Sequence, residues 1–371
     1  MMRCIAAIFI VFLLAPTARA QNESWSVPTE MCRDYFFVPI VVSAQPGRPE
    51  DESGRTLWML YDTGAAATFV DPDSIERVAN MRVRDQRRIN ITNARMGPVS
   101  VNRMPARITD LDHLTVGLGR EIDGILAVDA FQGFLLTLDY EHGALRLTRG
   151  ALPRPDNDSV FSTRGPGKRP FLTVDIAGRT RRILIDSGAA SAPLAVNRLD
   201  RYALTEPARP IGASIRFSHI EYREGGRLDG AARFGPFVLD APLMEEVPET
   251  ELLGGMIMRH FNWTFDLENE RVRIERIIGE GPIMLPPETT HGLALRPEGG
   301  ALVVQAILPG SLAGEAGLAE GDILTHFDGR PVADRGCQRS DADDTPLSLT
   351  VTRVRDGESV DVVVPLVRLV D

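Results

Sequence analysis

The sequence predicts a chain dominated by β structure, with one β-rich lobe written twice and a smaller α+β module after it. Three observations carry this reading. Asp62-Thr63-Gly64 and Asp186-Ser187-Gly188 each end an apolar run, Leu57-Trp58-Met59-Leu60-Tyr61 and Ile183-Leu184-Ile185, and each is followed by two alanines. The strand and turn signals around the two tripeptides recur in the same order. A stretch rich in glycine and proline, residues 278–287, then separates off a region of different pattern, 288–371. A chance Asp-[Thr/Ser]-Gly is expected on the order of 0.1–0.2 times in a chain of this length. Two in matched surroundings point to duplication.

Residues 1–20 read as a signal peptide. Arg3 supplies the positive start, residues 5–14 the apolar run, and Ala18-Arg19-Ala20 the small-residue cleavage site before Gln21. The run is short for a bilayer span, which disfavours the other reading, an uncleaved anchor. The mature chain is therefore expected to be exported, to the periplasm or the cell exterior, with no membrane span.

The first lobe, 35–150, opens with a strand pattern over residues 36–42. A loop rich in Gly, Pro and acidic residues (45–54) leads to the strand that delivers Asp62, and residues 73–80 are the best helix candidate. Further on, Ile122-Asp123-Gly124-Ile125-Leu126 precedes a strand-turn-strand pattern over 136–147. The second lobe, 159–277, repeats the order. A strand over 171–176 turns through Ala177-Gly178-Arg179 into the strand that delivers Asp186, and Leu252-Leu253-Gly254-Gly255-Met256 precedes strands over 263–274. Aligned on Gly124 and Gly254, the spacings from the aspartates are 62 and 68 residues.

At 371 residues, 43% hydrophobic and 25% charged, the chain is that of a folded protein of two or three domains. Its net charge of −10 argues against nucleic acid or an anionic membrane as partner. Once Cys4 leaves with the signal, Cys32 and Cys337 remain, either paired or, as the sparse usage favours, two isolated thiols. Neither has metal-ligand spacing, and no metal or cofactor is expected. Gly-x-Ser-x-Gly and His-Glu-x-x-His are absent, and the six histidines are scattered.

Amide hydrolysis needs a base to activate water and an acid to protonate the carbonyl oxygen or the leaving nitrogen. Two close carboxylates cannot both ionise easily, so they hold one shared proton and present both functions together. Asp62 and Asp186 are the candidates. The short hydroxyls of Thr63 and Ser187 are suited to brace the two turns, Gly64 and Gly188 allow the sharp bends, and Gly124 and Gly254 would let a second strand pack behind each turn.

These residues resemble the retropepsin/pepsin superfamily of aspartic proteases, in which a D-[T/S]-G-A turn is followed in the same lobe by an apolar-apolar-Gly element. Leu252-Leu253-Gly254 matches that element. In the first lobe Gly124 stands in its place, with Asp123 where the second apolar residue belongs. The resemblance covers about residues 35–276. It implies two β lobes flanking a cleft, Asp62 and Asp186 as the dyad, a polypeptide substrate and a mobile flap; the apolar strands that line the cleft add the expectation of apolar subsites. With both aspartates in one chain, a monomer completes the site. Ala94, Arg95, Met96 and Gly97 are the first flap candidates, and the Arg223-Glu224-Gly225-Gly226 segment occupies a similar place in the second lobe. Ala65 and Ala189 replace the hydroxyl residue usual in pepsins, so the dyad should titrate higher and work at mildly acidic to neutral pH. Only residues 21–34 separate the signal from the first lobe, too few for a pepsin-like propeptide.

The C-terminal region, 288–371, resembles a PDZ domain on Pro309-Gly310-Ser311-Leu312-Ala313, Ala316-Gly317-Leu318, Gly321-Asp322-Ile323-Leu324 and Asp328-Gly329-Arg330-Pro331. The resemblance implies a loop at His291-Gly292-Leu293-Ala294-Leu295 that receives a peptide C-terminus. The short, polar segment 333–346 stands where a groove helix would lie, and a structural or regulatory cap is the other reading. The functional expectation is an exported aspartic endopeptidase with this module recruiting or gating substrate; the alternative is an inactive, protease-shaped binding or scaffold protein.

Overall fold

The computed structural model describes residues 23–42, 56–79, 82–83, 85–216, 219–286, 288–334 and 348–370. The signal segment and the loop at 45–54 lie outside them. β-strands dominate, with only short helices between. Among the described residues no helix is long and apolar enough to cross a membrane.

In the first half, strand Tyr35–Val42 pairs antiparallel with Thr56–Asp62, which delivers Asp62 at its end. Thr56–Asp62 runs parallel to Gly124–Ala127, which is antiparallel to Thr68–Val70, itself parallel to Val99–Ile108. Strand Arg88–Met96 pairs with both Val99–Ile108 and Tyr35–Val42, closing the strands into a ring. Its interior is apolar: Phe36, Val38, Ile40, Leu57, Met59 and Tyr61 are all fully buried. Residues 73–80, expected as helix, form Pro72–Ala79. The Asp71 carboxylate accepts the N–H groups of Asp73 and Ser74 at its start, and Pro72 opens the first turn, where no N–H is needed.

The second half repeats these pairings. Phe171–Ile176 turns through Ala177 and Gly178, both at positive φ, into Arg179–Ile185, the strand that carries the chain to Asp186. That φ pattern matches a two-residue turn to the twist of its strands. Arg179–Ile185 runs parallel to Leu252–Leu253, which is antiparallel to Leu194–Val196, itself parallel to Leu243–Glu246.

A six-stranded sheet joins the halves, in the order Ser24–Val27, Ala144–Thr148, Leu135–Asp139, Phe261–Asp266, Arg271–Arg276, Val160–Ser162. At its centre Thr137 pairs with Thr264, their hydroxyl oxygens 2.9 Å apart. Each half gives its strand-turn-strand to this sheet, and Trp263, Phe261 and Phe234 pack together beside it. Phe36 and Tyr140 do the same on the other side, ring centroids 4.8 Å apart.

The C-terminal region has its own sheet, with Leu293–Glu298 at one end beside Ala301–Ile307. Its core holds Leu302, Val304, Leu318, Leu324, Val351 and Val364, and one residue from far outside, Val116. Val116 comes from helix Asp112–Leu118 of the first half, which packs on Leu293–Glu298 and on the turn Val332–Asp334. Strand Arg209–Arg216 of the second half packs on Leu293–Glu298 as well.

Cys32 is wholly buried and disulfide-bonded, which corrects the reading of an isolated thiol. Cys337, weighed as its partner, lies outside the described residues.

Candidate active site

The two Asp turns meet between the halves and are stitched together by their middle residues. Thr63 and Ser187 are both fully buried. Thr63 Oγ1 donates to the Ile185 carbonyl at 2.7 Å and accepts the Ser187 N–H at 2.9 Å. Ser187 Oγ donates to the Tyr61 carbonyl at 3.1 Å and accepts the Thr63 N–H at 3.0 Å. Four hydrogen bonds thus cross the junction with two-fold symmetry, and no buried donor or acceptor of the braces is left over.

The glycines set the distance between the carboxylates. A Cβ at Gly64 would sit 2.5 Å from Asp186 Oδ2, and one at Gly188 would collide with the Asp62 carboxylate. Each carboxylate therefore rests on the backbone of the opposite turn, where only glycine fits. Asp62 Oδ1 accepts the N–H groups of Gly64 at 2.7 Å and Ala65 at 3.1 Å, and Asp186 Oδ1 accepts that of Gly188 at 2.9 Å. The two carboxyl groups thus face each other across the junction, close enough that each shifts the other and one proton can serve both.

Burial raises the carboxyl of Asp186, and the neighbouring Asp62 adds to it, pushing it up to about 7. The Gly188 N–H and the Arg169 cation pull the other way. Burial also raises Asp62, opposed by the Gly64, Ala65 and Gly188 N–H groups and by the hydrogen bond from Asp186. The pair titrates as a unit, with its last proton lost near neutrality.

Register relocates one supporting residue. Asp62 lies beside Ala127, whereas Gly124 lies beside Met59. In the second half Ile185 lies beside Leu253, and the Asp186 N–H donates to the Leu253 carbonyl, which sets Gly254 at the Asp turn. The next residues agree, since Val128 N–H donates to Ala65 O and Gly255 N–H donates to Ala189 O. Ala127, not Gly124, is the counterpart of Gly254, and Ile125-Leu126-Ala127 is the counterpart of Leu252-Leu253-Gly254. With this shift Asp123 falls outside the element, and Ala127 stands where the second half has glycine. Asp123 is instead a buried strut, accepting the Trp58 N–H and the Arg77 guanidinium, each at 2.6 Å. In the second half Glu251 takes a similar place, gripped by Arg181 through two hydrogen bonds of 2.9 and 2.6 Å.

The first flap candidates do not have the setting of a moving element. Ala94 and Met96 are buried in the core, and Gly97 turns against Val27 and Pro28. Arg95 alone of the four is exposed. Of the second segment, Gly225 and Gly226 pair with Glu245 and Met244, so they too belong to a packed strand, while residues 217–218 at that hairpin's tip lie outside the described residues.

At the C-terminal loop, Gly292 N–H donates to Thr290 Oγ1 and Leu293 N–H donates to His291 Nδ1. Two of the donors that a peptide carboxylate would need already have acceptors. Leu293 and Ala294 are buried, and Leu295 begins the shifted pairing with Val304.

Sequence reasoning missed Tyr35 and Arg169. Tyr35 lies against the Ala190 backbone close enough to feel both aspartates, and burial raises its phenol. Arg169 precedes Pro170, whose carbonyl accepts the Ile185 N–H next to Asp186. Neither belongs to a recurring tripeptide. Among the described residues two clusters have the spacing to hold a cation, Asp139–Glu141–His142 and Asp71–Asp110–Asp112. Asp139 is already engaged by His142 and Arg146, and Asp71 by the helix start. No protein-family model matches the chain, and no curated protein matches it significantly.

Proposed function

We propose that the chain is an aspartic endopeptidase, with two retropepsin/pepsin-like lobes completing one site in a single chain and a PDZ-like module behind them. One observation carries the reading: the carboxyl groups of Asp62 and Asp186 each rest on the other's glycine turn, brought together by cross-braced turns. A polypeptide lies extended across the pair. The ionised carboxylate takes a proton from a water held between the two aspartates, and that water's oxygen attacks the scissile carbonyl. The protonated carboxyl gives its proton to the carbonyl oxygen, forming a neutral gem-diol. The first carboxyl then gives its proton to the nitrogen while the second carboxylate takes one from a gem-diol hydroxyl, the C–N bond breaks to leave a carboxylic acid and an amine, and the pair returns to its one-proton state. No covalent intermediate with the protein forms.

The signal-like segment supports export, to the periplasm or beyond, and the presence of both aspartates in one chain supports action as a monomer. The satisfied N–H groups of Gly292 and Leu293, with helix Asp112–Leu118 packed on the neighbouring strand, favour a structural or gating module over a free peptide receptor. The test is digestion of a diverse peptide pool with and without a statine-type inhibitor. Inhibitor-sensitive cleavage within peptides supports the proposal. An intact pool between pH 4 and 7 would favour the protease-shaped scaffold.

A further inference from the structure

A cleft of about 610 Å³ begins at the first Asp turn. Ala66 and Thr68 line it on one side and Arg88, Arg103 and Arg107 on another, with Asp129 the one acidic wall residue among the described residues. In a chain of net charge −10 this is a local reversal of sign. All three arginines are exposed, and none makes an ion pair among the described residues. Arg103 Nε donates to the neutral Asn90 side chain at 2.9 Å, and Arg107 stands 5.9 Å from the Phe69 ring centre.

Their register makes the arrangement costly without a ligand. Arg88 and Arg107 are direct cross-strand partners, and like charges in that position repel. Arg103 and Arg107 lie four residues apart on one strand, on the same face.

A fourth cation approaches from the second half. The turn around Gly167 reaches the same Ala66, since a Cβ on Gly167 would lie 3.7 Å from Ala66 Cβ. Arg169, two residues on, has its Nε buried without an acceptor, and its guanidinium stands 5.6 Å from the centre of the Phe171 ring. It makes no ion pair among the described residues, and its charge is felt at Asp186.

We infer that the substrate is a polypeptide with acidic side chains flanking the cleaved bond, received by Arg88, Arg103 and Arg107 on one side of the Asp62 turn and by Arg169 on the other. The inference rests on the peptidase reading for the bond that is cut, and it replaces the expectation of purely apolar subsites. Carboxylates would supply the acceptors these guanidinium groups lack and relieve the Arg88–Arg107 repulsion.

The test is fluorescence anisotropy on the full chain, using a labelled peptide with glutamates on both sides of an apolar centre and its glutamine analogue. In about 0.05 M NaCl the glutamate peptide binds about tenfold more tightly, the effect of two or three exposed ion pairs. The ratio narrows to about twofold in about 0.5 M NaCl. It narrows similarly at low salt in the Arg103→Gln/Arg107→Gln variant and falls partway in Arg169→Gln. Equal binding of the two peptides by the natural chain overturns the inference, as does a ratio that survives in the double variant with its melting temperature retained. Displacement of the label by single-stranded oligothymidylate at lower concentration than by unlabelled glutamate peptide also overturns it, and assigns the groove to nucleic acid. Cleavage without glutamate selectivity counts against this inference alone; selective binding without cleavage counts against the peptidase reading alone.

Discussion

Thr63 reaches across the junction of the two halves to the main chain of Ile185, 2.7 Å away, and Ser187 returns the contact to Tyr61. The aspartates are thereby positioned by neighbours whose own side chains face the opposite backbone. Removing the Thr63 hydroxyl leaves the Ile185 carbonyl and the Ser187 N–H buried without partners. Thr63→Val should cost about 2–4 kcal/mol in urea denaturation and lower kcat, because each stranded polar group costs about 1–3 kcal/mol. Thr63→Ser keeps the hydroxyl and should stay close to the natural protein in both measurements.

The raised carboxyl pair should govern the pH response. The raised Asp186 carboxyl, at about 7, keeps one proton on the pair up to neutrality. Initial rates on a neutral peptide should hold through mildly acidic pH and fall above about pH 7, and an optimum near pH 2 would contradict this.

The same shift affects stability. A carboxyl whose folded value lies above its unfolded value binds its proton more tightly in the folded state. Its contribution is full below the ordinary carboxylate range and is lost as pH rises through about 7. Asp186→Asn should therefore gain on the natural protein from pH 4 to 8, ending about 1–3 kcal/mol more stable, a range discounted for the partly open cleft. Calorimetry at the two pH values measures this, and a gap that stays constant would contradict it.

Asp123 is buried and depends on Arg77. Arg77→Met should destabilise by about 1–3 kcal/mol, since it leaves a buried carboxylate without its cation. The double variant Arg77→Met/Asp123→Asn should recover part of the loss in thermal unfolding.

Val116 completes the core of the C-terminal region from outside it. Val116→Asp puts a charge into that apolar cluster and should loosen the region from the first half. Limited proteolysis with thermolysin then cuts faster within residues 277–292; an unchanged digestion pattern would contradict the packing role.

The β-dominated character and the two Asp turns were legible because their signals are local: an apolar run, a tripeptide and small residues next to it. Residues 73–80 were readable for the same reason, with Asp71, Pro72 and the helix they open adjacent in the chain. The misplacement of Gly124 has a different origin. The glycine drew the alignment to Gly124 despite Asp123 before it, and only the parallel register with Asp62 shows that Ala127, three residues on, holds the equivalent place. The arginine groove was hidden for a related reason. Arg88 and Arg107 become neighbours only when the hairpin pairs, and the turn before Arg169 comes near Ala66 only when the halves close. Cys32 had no local mark of its disulfide at all.

The central claim is that the two carboxylates, acting as one acid–base pair, cut peptide bonds. It is tested most directly by comparing the natural protein with Asp62→Asn and with Asp186→Asn in the same peptide-pool digestion at pH 5 to 7, with folding checked by calorimetry. Cleavage by the natural protein, with both variants slower by at least about a hundredfold, is the predicted result. Folded variants that cleave as fast as the natural protein would contradict the account.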